Sequence, residues 1–158
     1  MLNLCIRTIT NKKDLGRLRN YLLHQGLWYP DYEPWVEEVC IPDIEREWKT
    51  GILALCDGKV VGDAIYQPHK KLPRTREFKN MRIQSEFRRR DLGHFLLRQV
   101  EEEDSKSFDR IILDVDAREE RTVHFLQFCG YRPILQQPLY SSHNVDVVMV
   151  KEFKRDIN

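Results

Sequence analysis

The residues best suited to chemistry are Arg88-Arg89-Arg90-Asp91-Leu92-Gly93. They join an extended, apolar-alternating segment ending at Gln84 to a stretch with Leu92, Phe95, Leu96 and Val100 on one helical face. Strand, basic turn and helix start in that order make an anion cradle. The free N–H groups of the first helical turn, the helix dipole and the arginines all favour negative charge. A phosphorylated ligand is the natural occupant. Taken alone, an arginine run is usually a solvated turn; the helix that opens directly behind this one favours the cradle.

Acidic and phenolic groups flank this unit. Glu77 has the apolar neighbours Phe78 and Met81, so desolvation is expected to raise its pKa. Asp114 and Asp116 stand at the end of the run Arg110–Val115, on one side of its pleat. The alternative reading of those two aspartates is a cap for the helix expected near Arg118. Tyr140 and His143 lie near the last strand connection.

The elements that must position these groups follow from periodicity. Leu2 to Thr10 alternates as a strand. Asn11 caps a helix with Leu15, Leu18, Leu22 and Leu23 on one face, ending near Gly26. An aromatic loop holds Trp28, Tyr29, Tyr32 and Trp35, and a second helix, disturbed by Pro42, ends before Gly51. Gly51–Cys56 and Val60–Gln67 form a hairpin turning at Asp57-Gly58, and Thr75–Gln84 is the next strand. After the helix from Leu92, Arg110–Val115 reads as a strand buried on both faces. Arg118–Cys129 is a helix stopped by Gly130, and strands near Tyr131–Leu139 and Val145–Phe153 complete the chain. The run Glu101-Glu102-Glu103-Asp104 is expected to be a solvated face. The order βααβββαβαββ indicates an α/β fold with a mixed sheet in a single domain, residues 1–158.

Composition narrows the function. The 158 residues carry a net charge of +1, which argues against strong non-specific nucleic-acid binding. No apolar run is long enough for a membrane span, and the start does not read as a signal peptide. The four cysteines, Cys5, Cys40, Cys56 and Cys129, are scattered, so no metal site is expected and free thiols fit a cytoplasmic setting.

The element order, taken with Arg88-x-x-Asp91-x-Gly93, resembles the GNAT superfamily of acyl-CoA-dependent N-acetyltransferases. Family loops there read Arg/Gln-x-x-Gly-x-Gly/Ala. The start IRTITNKKDLGRL and the segment Phe125-Leu126-Gln127-Phe128-Cys129-Gly130-Tyr131 are similar to the family's first strand and helix and to its FYxxxGF ending. The resemblance covers nearly the whole chain. It implies a mixed, mostly antiparallel sheet whose fourth and fifth strands splay apart. It also implies acetyl-CoA as co-substrate, with no metal. The pyrophosphate would lie on Arg88, Arg89, Arg90, Asp91, Leu92, Gly93 and His94, and the pantetheine arm along the backbone of Met81, Arg82 and Ile83. Glu119 and Phe125 are further cofactor contacts by position.

Two departures from the family pattern stand out. Asp91 replaces the first glycine, at a position expected to need positive φ; it either points away from the pyrophosphate or caps the helix. Leu126 replaces the tyrosine that serves many members as the acid for the leaving thiolate. Tyr131, Tyr140 and Cys129 are the candidate substitutes, Tyr140 first. By resemblance Glu77, eleven residues before Arg88, is the general base acting through water, with Asp114 and Asp116 as rivals. An ordinary strand-end carboxylate paired with Arg74, Arg76 or Lys79 is the alternative for Glu77. Trp28, Tyr29 and Tyr32 would wall the acceptor site, or else close the core over the sheet edge.

The leading expectation is an N-acetyltransferase acting on a primary amine, either a small molecule or a protein amine. A non-catalytic acyl-CoA sensor, a toxin-type enzyme acting on aminoacyl-tRNA and a structural α/β domain are the alternatives. The tRNA reading would draw on Lys70, Lys71, Arg74 and Arg76. A homodimer is left open.

Overall fold

The computed structural model describes residues 3–25, 27 and 29–154. Leu2, the expected helix end at Gly26 and the candidate Trp28 lie outside them. The chain runs β1 (Leu4–Thr8), α1 (Lys12–Leu23), a helical stretch α2 over 32–45, β2 (Thr50–Cys56), β3 (Lys59–Pro68) and β4 (Thr75–Ile83). It continues with α3 (Leu92–Glu102), β5 (Arg110–Asp116), α4 (Glu120–Phe128), β6 (Arg132–Ser141) and β7 (Asn144–Glu152). This is the expected order, on a seven-stranded sheet β1-β2-β3-β4-β5-β7-β6. Every neighbouring pair is antiparallel except β4 and β5.

Local chemistry explains the boundaries. The Asn11 side chain accepts from the Asp14 N–H at 2.8 Å and starts α1. Asp57 (φ 49) and Gly58 (φ 79) both sit in the left-handed region, which a two-residue hairpin turn needs to match strand twist. Pro42 does not break α2, contrary to expectation. The helix passes from Tyr32–Pro34 through a wide turn, Trp35–Cys40, in which the Ile41 N–H reaches the Val36 carbonyl, into Ile41–Glu45. Proline has no N–H and its ring crowds the carbonyl four residues back, so widening the preceding turn lets the helix go on.

Alternation in β2 and β3 separates two cores. Leu53, Leu55 and Ile65 pack under α1 and α2 with Leu18, Leu22, Val36 and Cys40. Ile52, Ala54, Ala64 and Tyr66 face the opposite way, with Leu96, Leu97 and Val100 of α3 and Leu126 of α4. Burial of these apolar faces is the main stabilising effect. Arg76 of β4 pins the far end of α3. Its guanidinium lies 3.9 Å from the ring centres of both Tyr66 and Phe108 and donates to the Val100 and Glu103 carbonyls at 2.6 Å each.

The acidic run after α3 is not wholly solvated. Glu101 is buried and accepts from Tyr131 (3.2 Å) and Lys151 (2.9 Å). Among the described residues no helix is long and apolar enough to cross a membrane.

Candidate active site

The sheet opens at one place. β4 and β5 pair in parallel only from Thr75–Phe78 against Arg110–Leu113. β5 keeps its pairing with β7 as far as Asp116, and β4 keeps its pairing with β3 as far as Ile83. The two strands therefore part beyond Phe78 and leave a wedge. A bulge helps part them: Ile65 faces Asn80 while the next residue, Tyr66, faces Phe78, so Lys79 is the extra residue of β4. The backbone of Met81, Arg82 and Ile83 thus runs along an edge with no β5 partner. An extended ligand segment can satisfy such an edge by pairing as a strand does.

Carboxylates gather where the wedge begins. Glu77 is half-buried and accepts from Lys79 Nζ and Gln67 Nε2, each at 2.9 Å. Burial pushes its pKa up, but the hydrogen bonds and charge of Lys79, with Gln67 and His69, outweigh burial and hold it below the ordinary value. The expected upward shift is therefore corrected. Its cause is Lys79, one of the three partners the sequence offered for this carboxylate.

Across the wedge Asp114 accepts from the Tyr140 hydroxyl at 2.8 Å. Burial raises the Asp114 pKa, and the Tyr140 hydrogen bond and the Lys79 charge only partly offset this. Burial and the Asp114 carboxylate in turn raise that of Tyr140. The Tyr29 ring meets Tyr140 edge-on, centroids 5.6 Å apart. Asp116, the other rival, caps the chain entering α4: it accepts from the Arg118 N–H at 2.9 Å and from the Arg118 guanidinium at 2.6 Å. The helix itself starts at Glu120, two residues later than expected.

The open end of the wedge meets the basic turn. Asp91 adopts φ 60, as expected, and starts α3 without a capping hydrogen bond from its side chain, which is exposed. The first intrahelical bond is Phe95 N–H to Asp91 O at 3.0 Å, so the N–H groups of Leu92, Gly93 and His94 come before it and point outward. A Cβ on Gly93 would lie 3.2 Å from the tip of Ile83, so the small residue lets the helix start sit against the end of β4. Arg88, Arg89 and Arg90 are exposed; Arg88 also donates to the Ile83 carbonyl at 3.0 Å and holds the turn on the strand. Phe125 packs beside this junction, the His94 ring lies 3.8 Å from the Cys129 sulfur, and Glu119 is exposed just before α4. Strand edge, free amides and arginines are contiguous, and these residues fit a pantetheine arm and a pyrophosphate.

Other candidates fare differently. Leu126 is a core residue, so no acid stands at that position. Tyr32 is tied down: its hydroxyl donates to the Leu22 carbonyl at 3.0 Å, its ring stacks on Trp35, and burial pushes its pKa up to about 12. Tyr29 and Tyr32 line a cleft of about 450 Å³ with Leu23 and Pro34. The proposed basic patch for tRNA shrinks, because Arg76 is buried and Arg74 pairs with Asp109 at 2.6 Å. Sequence reasoning missed Gln67 and Asp63. Asp63 left a signal, as a lone charge inside the apolar run Val60–Tyr66. Gln67 left none.

Comparison with known proteins places this fold. The model of the acetyltransferase (GNAT) family matches residues 19–131. No curated protein matches the sequence. Among solved structures, the ribosomal-protein-S18-alanine N-acetyltransferase from Escherichia coli superposes with a TM-score of 0.76 at 16% identity, covering 99% of this chain and 98% of that one. The acetyltransferase of GNAT family from Streptococcus pneumoniae gives 0.74 at 19% identity, covering 96% and 100%. The PaiA N-acetyltransferase from Thermoplasma acidophilum, in complex with coenzyme A, gives 0.72 at 16% identity, covering 96% and 99%.

Proposed function

This chain belongs to the acetyltransferase (GNAT) family, and from that premise we propose that it moves an acetyl group from acetyl-CoA to a primary amine by direct attack. The observation that carries the reading is the early end of β4–β5 pairing, with carboxylates at its closed end and a basic helix start at its open end. Acetyl-CoA, when bound, supplies an acyl group activated as a thioester. Met81, Arg82 and Ile83 would hold its arm by main-chain pairing. The turn from Arg88 to His94 would hold its diphosphate, with Phe125 and Glu119 beside it. Tyr29 and Tyr32 would wall the acceptor.

The amine must lose a proton as it attacks, and the departing thiolate must gain one. A base works best with a pKa near the working pH. Asp114 is shifted in that direction and Glu77 away from it. We therefore assign proton removal to Asp114. Tyr140, already donating to Asp114 Oδ2, passes its hydroxyl proton on toward the leaving group as it takes one back from Asp114. The charge count closes: one proton leaves the amine and one reaches the thiolate. Glu77, ionised and facing the same wedge, draws the ammonium form in, and that form gives its first proton to solvent before it attacks.

A second reading rests on the position of Glu77 on β4 where pairing with β5 ends: Glu77 takes the proton through one water. Asp114→Asn and Glu77→Gln separate the two. Asp114→Asn is expected to lower kcat by about a hundredfold while acetyl-CoA binding, measured by calorimetry, is kept. If Glu77→Gln instead shows the larger loss and abolishes the acidic limb of the pH–rate profile, the water-mediated reading holds.

A further inference from the structure

A second cleft adjoins the closed end of the wedge. It has a volume of about 350 Å³ and is lined by Gln67, His69, Lys70, Lys71, Glu77 and Lys79. That is at the small end for small-molecule sites. Its two ends differ in charge.

At the inner end, Gln67 is 3% exposed, and its Oε1 has no hydrogen-bond partner among the described residues. The orientation of the amide is fixed by chemistry. Glu77 is a carboxylate and only accepts, so the Gln67 nitrogen must face it and the oxygen is the free atom. A buried carbonyl oxygen without a donor carries a desolvation penalty that an incoming N–H would relieve. Glu77 lies beside it, and its two carboxylate oxygens, one taking Lys79 and the other Gln67, keep lone pairs for a further N–H.

At the outer rim, Lys70 and Lys71 are exposed, and neither has a carboxylate partner among the described residues. His69 accepts the N–H groups of Lys71 (3.1 Å) and Leu72 (3.0 Å) at Nδ1. Its ring proton therefore sits on Nε2, which is a donor. Lys79 is already neutralised by Glu77 at 2.9 Å.

We infer that the acceptor is a small zwitterion: a primary amine that also carries an anionic group, as an amino acid does. Its ammonium end would face the Gln67 oxygen and Glu77, and its anion would meet Lys70, Lys71 and the His69 Nε2–H. This inference rests on the transferase reading and narrows its acceptor: the charged groups sit in this cleft, and Tyr29 and Tyr32 would wall only the remainder of the molecule.

The test titrates matched amines into the full chain saturated with coenzyme A, by calorimetry: L-alanine against ethylamine, L-leucine against 3-methylbutylamine, and phosphoethanolamine against ethanolamine. Release of free thiol from acetyl-CoA is then followed with the same amines. The anionic member of at least one pair is expected to bind about tenfold tighter, the effect of one well-placed charge pair at a partly shielded site. The carboxylate pairs and the phosphate pair tell which anion is preferred. Lys70→Ala with Lys71→Ala is expected to reduce that preference by about fivefold or more, read in binding and in KM rather than kcat. Lys59→Ala, at the opposite end of β3, should leave it intact. Equal or absent binding of both members of every pair, with coenzyme A still bound, overturns the zwitterion inference and leaves the transferase reading standing. Failure to bind coenzyme A at all overturns both.

Discussion

Asp63 offers the sharpest test of how this fold handles buried charge. It lies fully buried in the middle of β3, opposite Arg82 of β4. One carboxylate oxygen accepts from Asn80 at 2.7 Å, and the other has no partner among the described residues. Burial raises its pKa from the ordinary 3.8 to about 7, against the pull of Asn80 and Arg82. A folded pKa above the unfolded one means that the folded state binds the extra proton between those two values. Stability is therefore greatest below about pH 4 and falls as pH rises through 7. At about 1.4 kcal/mol per pH unit the full effect is about 4 kcal/mol, and about 3 kcal/mol of it falls between pH 5 and 8.

Asp63→Asn keeps the shape, still accepts from Asn80 and cannot ionise. Wild type and variant should have nearly the same urea midpoint at pH 5. At pH 8 the variant should be more stable by about 3 kcal/mol, or roughly 6–12 °C in Tm for a chain of this size. Taking the difference removes other titrations. Asp14, Asp43, Glu77 and Asp116 have lowered values and lose their contributions in more acid solution, and Asp114, raised like Asp63, is common to both proteins. A gap between the two proteins that does not change from pH 5 to pH 8 would refute the reasoning.

Arg76→Met leaves two carbonyls at the end of α3 without their donor and removes two cation–ring contacts, so it should cost roughly 3 kcal/mol in urea unfolding; a change below 1 kcal/mol would show that the clamp is unimportant. Asp91→Gly relieves a side chain held at φ 60 and takes a negative charge from the anion cradle. It should therefore keep or tighten acetyl-CoA binding by calorimetry, and clearly weaker binding would contradict the assignment of that turn. Tyr140→Phe removes a hydrogen bond that lowers the pKa of Asp114, so the acidic limb of the kcat/KM profile should move to higher pH while kcat falls. A limb that stays in place would take Asp114 out of the reaction.

Much of this was legible because short-range chemistry decided it. Asp57-Gly58 specifies a tight hairpin, Asn11 a helix start, and Arg88–Gly93 a turn that leads into a helix whatever the rest of the chain does. The parts that were not legible depend on which side chains the folded sheet brings together. Lys79 was only one of three partners open to Glu77, and its ion pair outweighs burial and reverses the expected shift of that carboxylate. Tyr140 reaches Asp114 across 26 positions of sequence, through the antiparallel partner that β7 provides to both β5 and β6. Arg76 looked like surface charge because nothing local shows that Tyr66 and Phe108 will sandwich it.

The bulge in β4 links fold to chemistry. A seven-stranded sheet gains from every ladder bond, and an inner strand that gives up its partner leaves main-chain groups that need water or a ligand. Here the loss is confined to β4 beyond Phe78, and three features keep the gap from closing. The bulge at Lys79 re-aims the strand, Gly93 lets α3 seat against Ile83, and Arg88 ties the basic turn to the Ile83 carbonyl. The unpaired edge, the outward amides and the arginines are therefore held by one continuous stretch, residues 79–94, with little rearrangement left for a ligand to impose. Asp114 and Tyr140 belong to the other wall, which is braced separately by β7. A substitution in one wall should thus alter either cofactor affinity or proton handling, and only a change at Glu77 or Lys79, where the walls meet, should alter both.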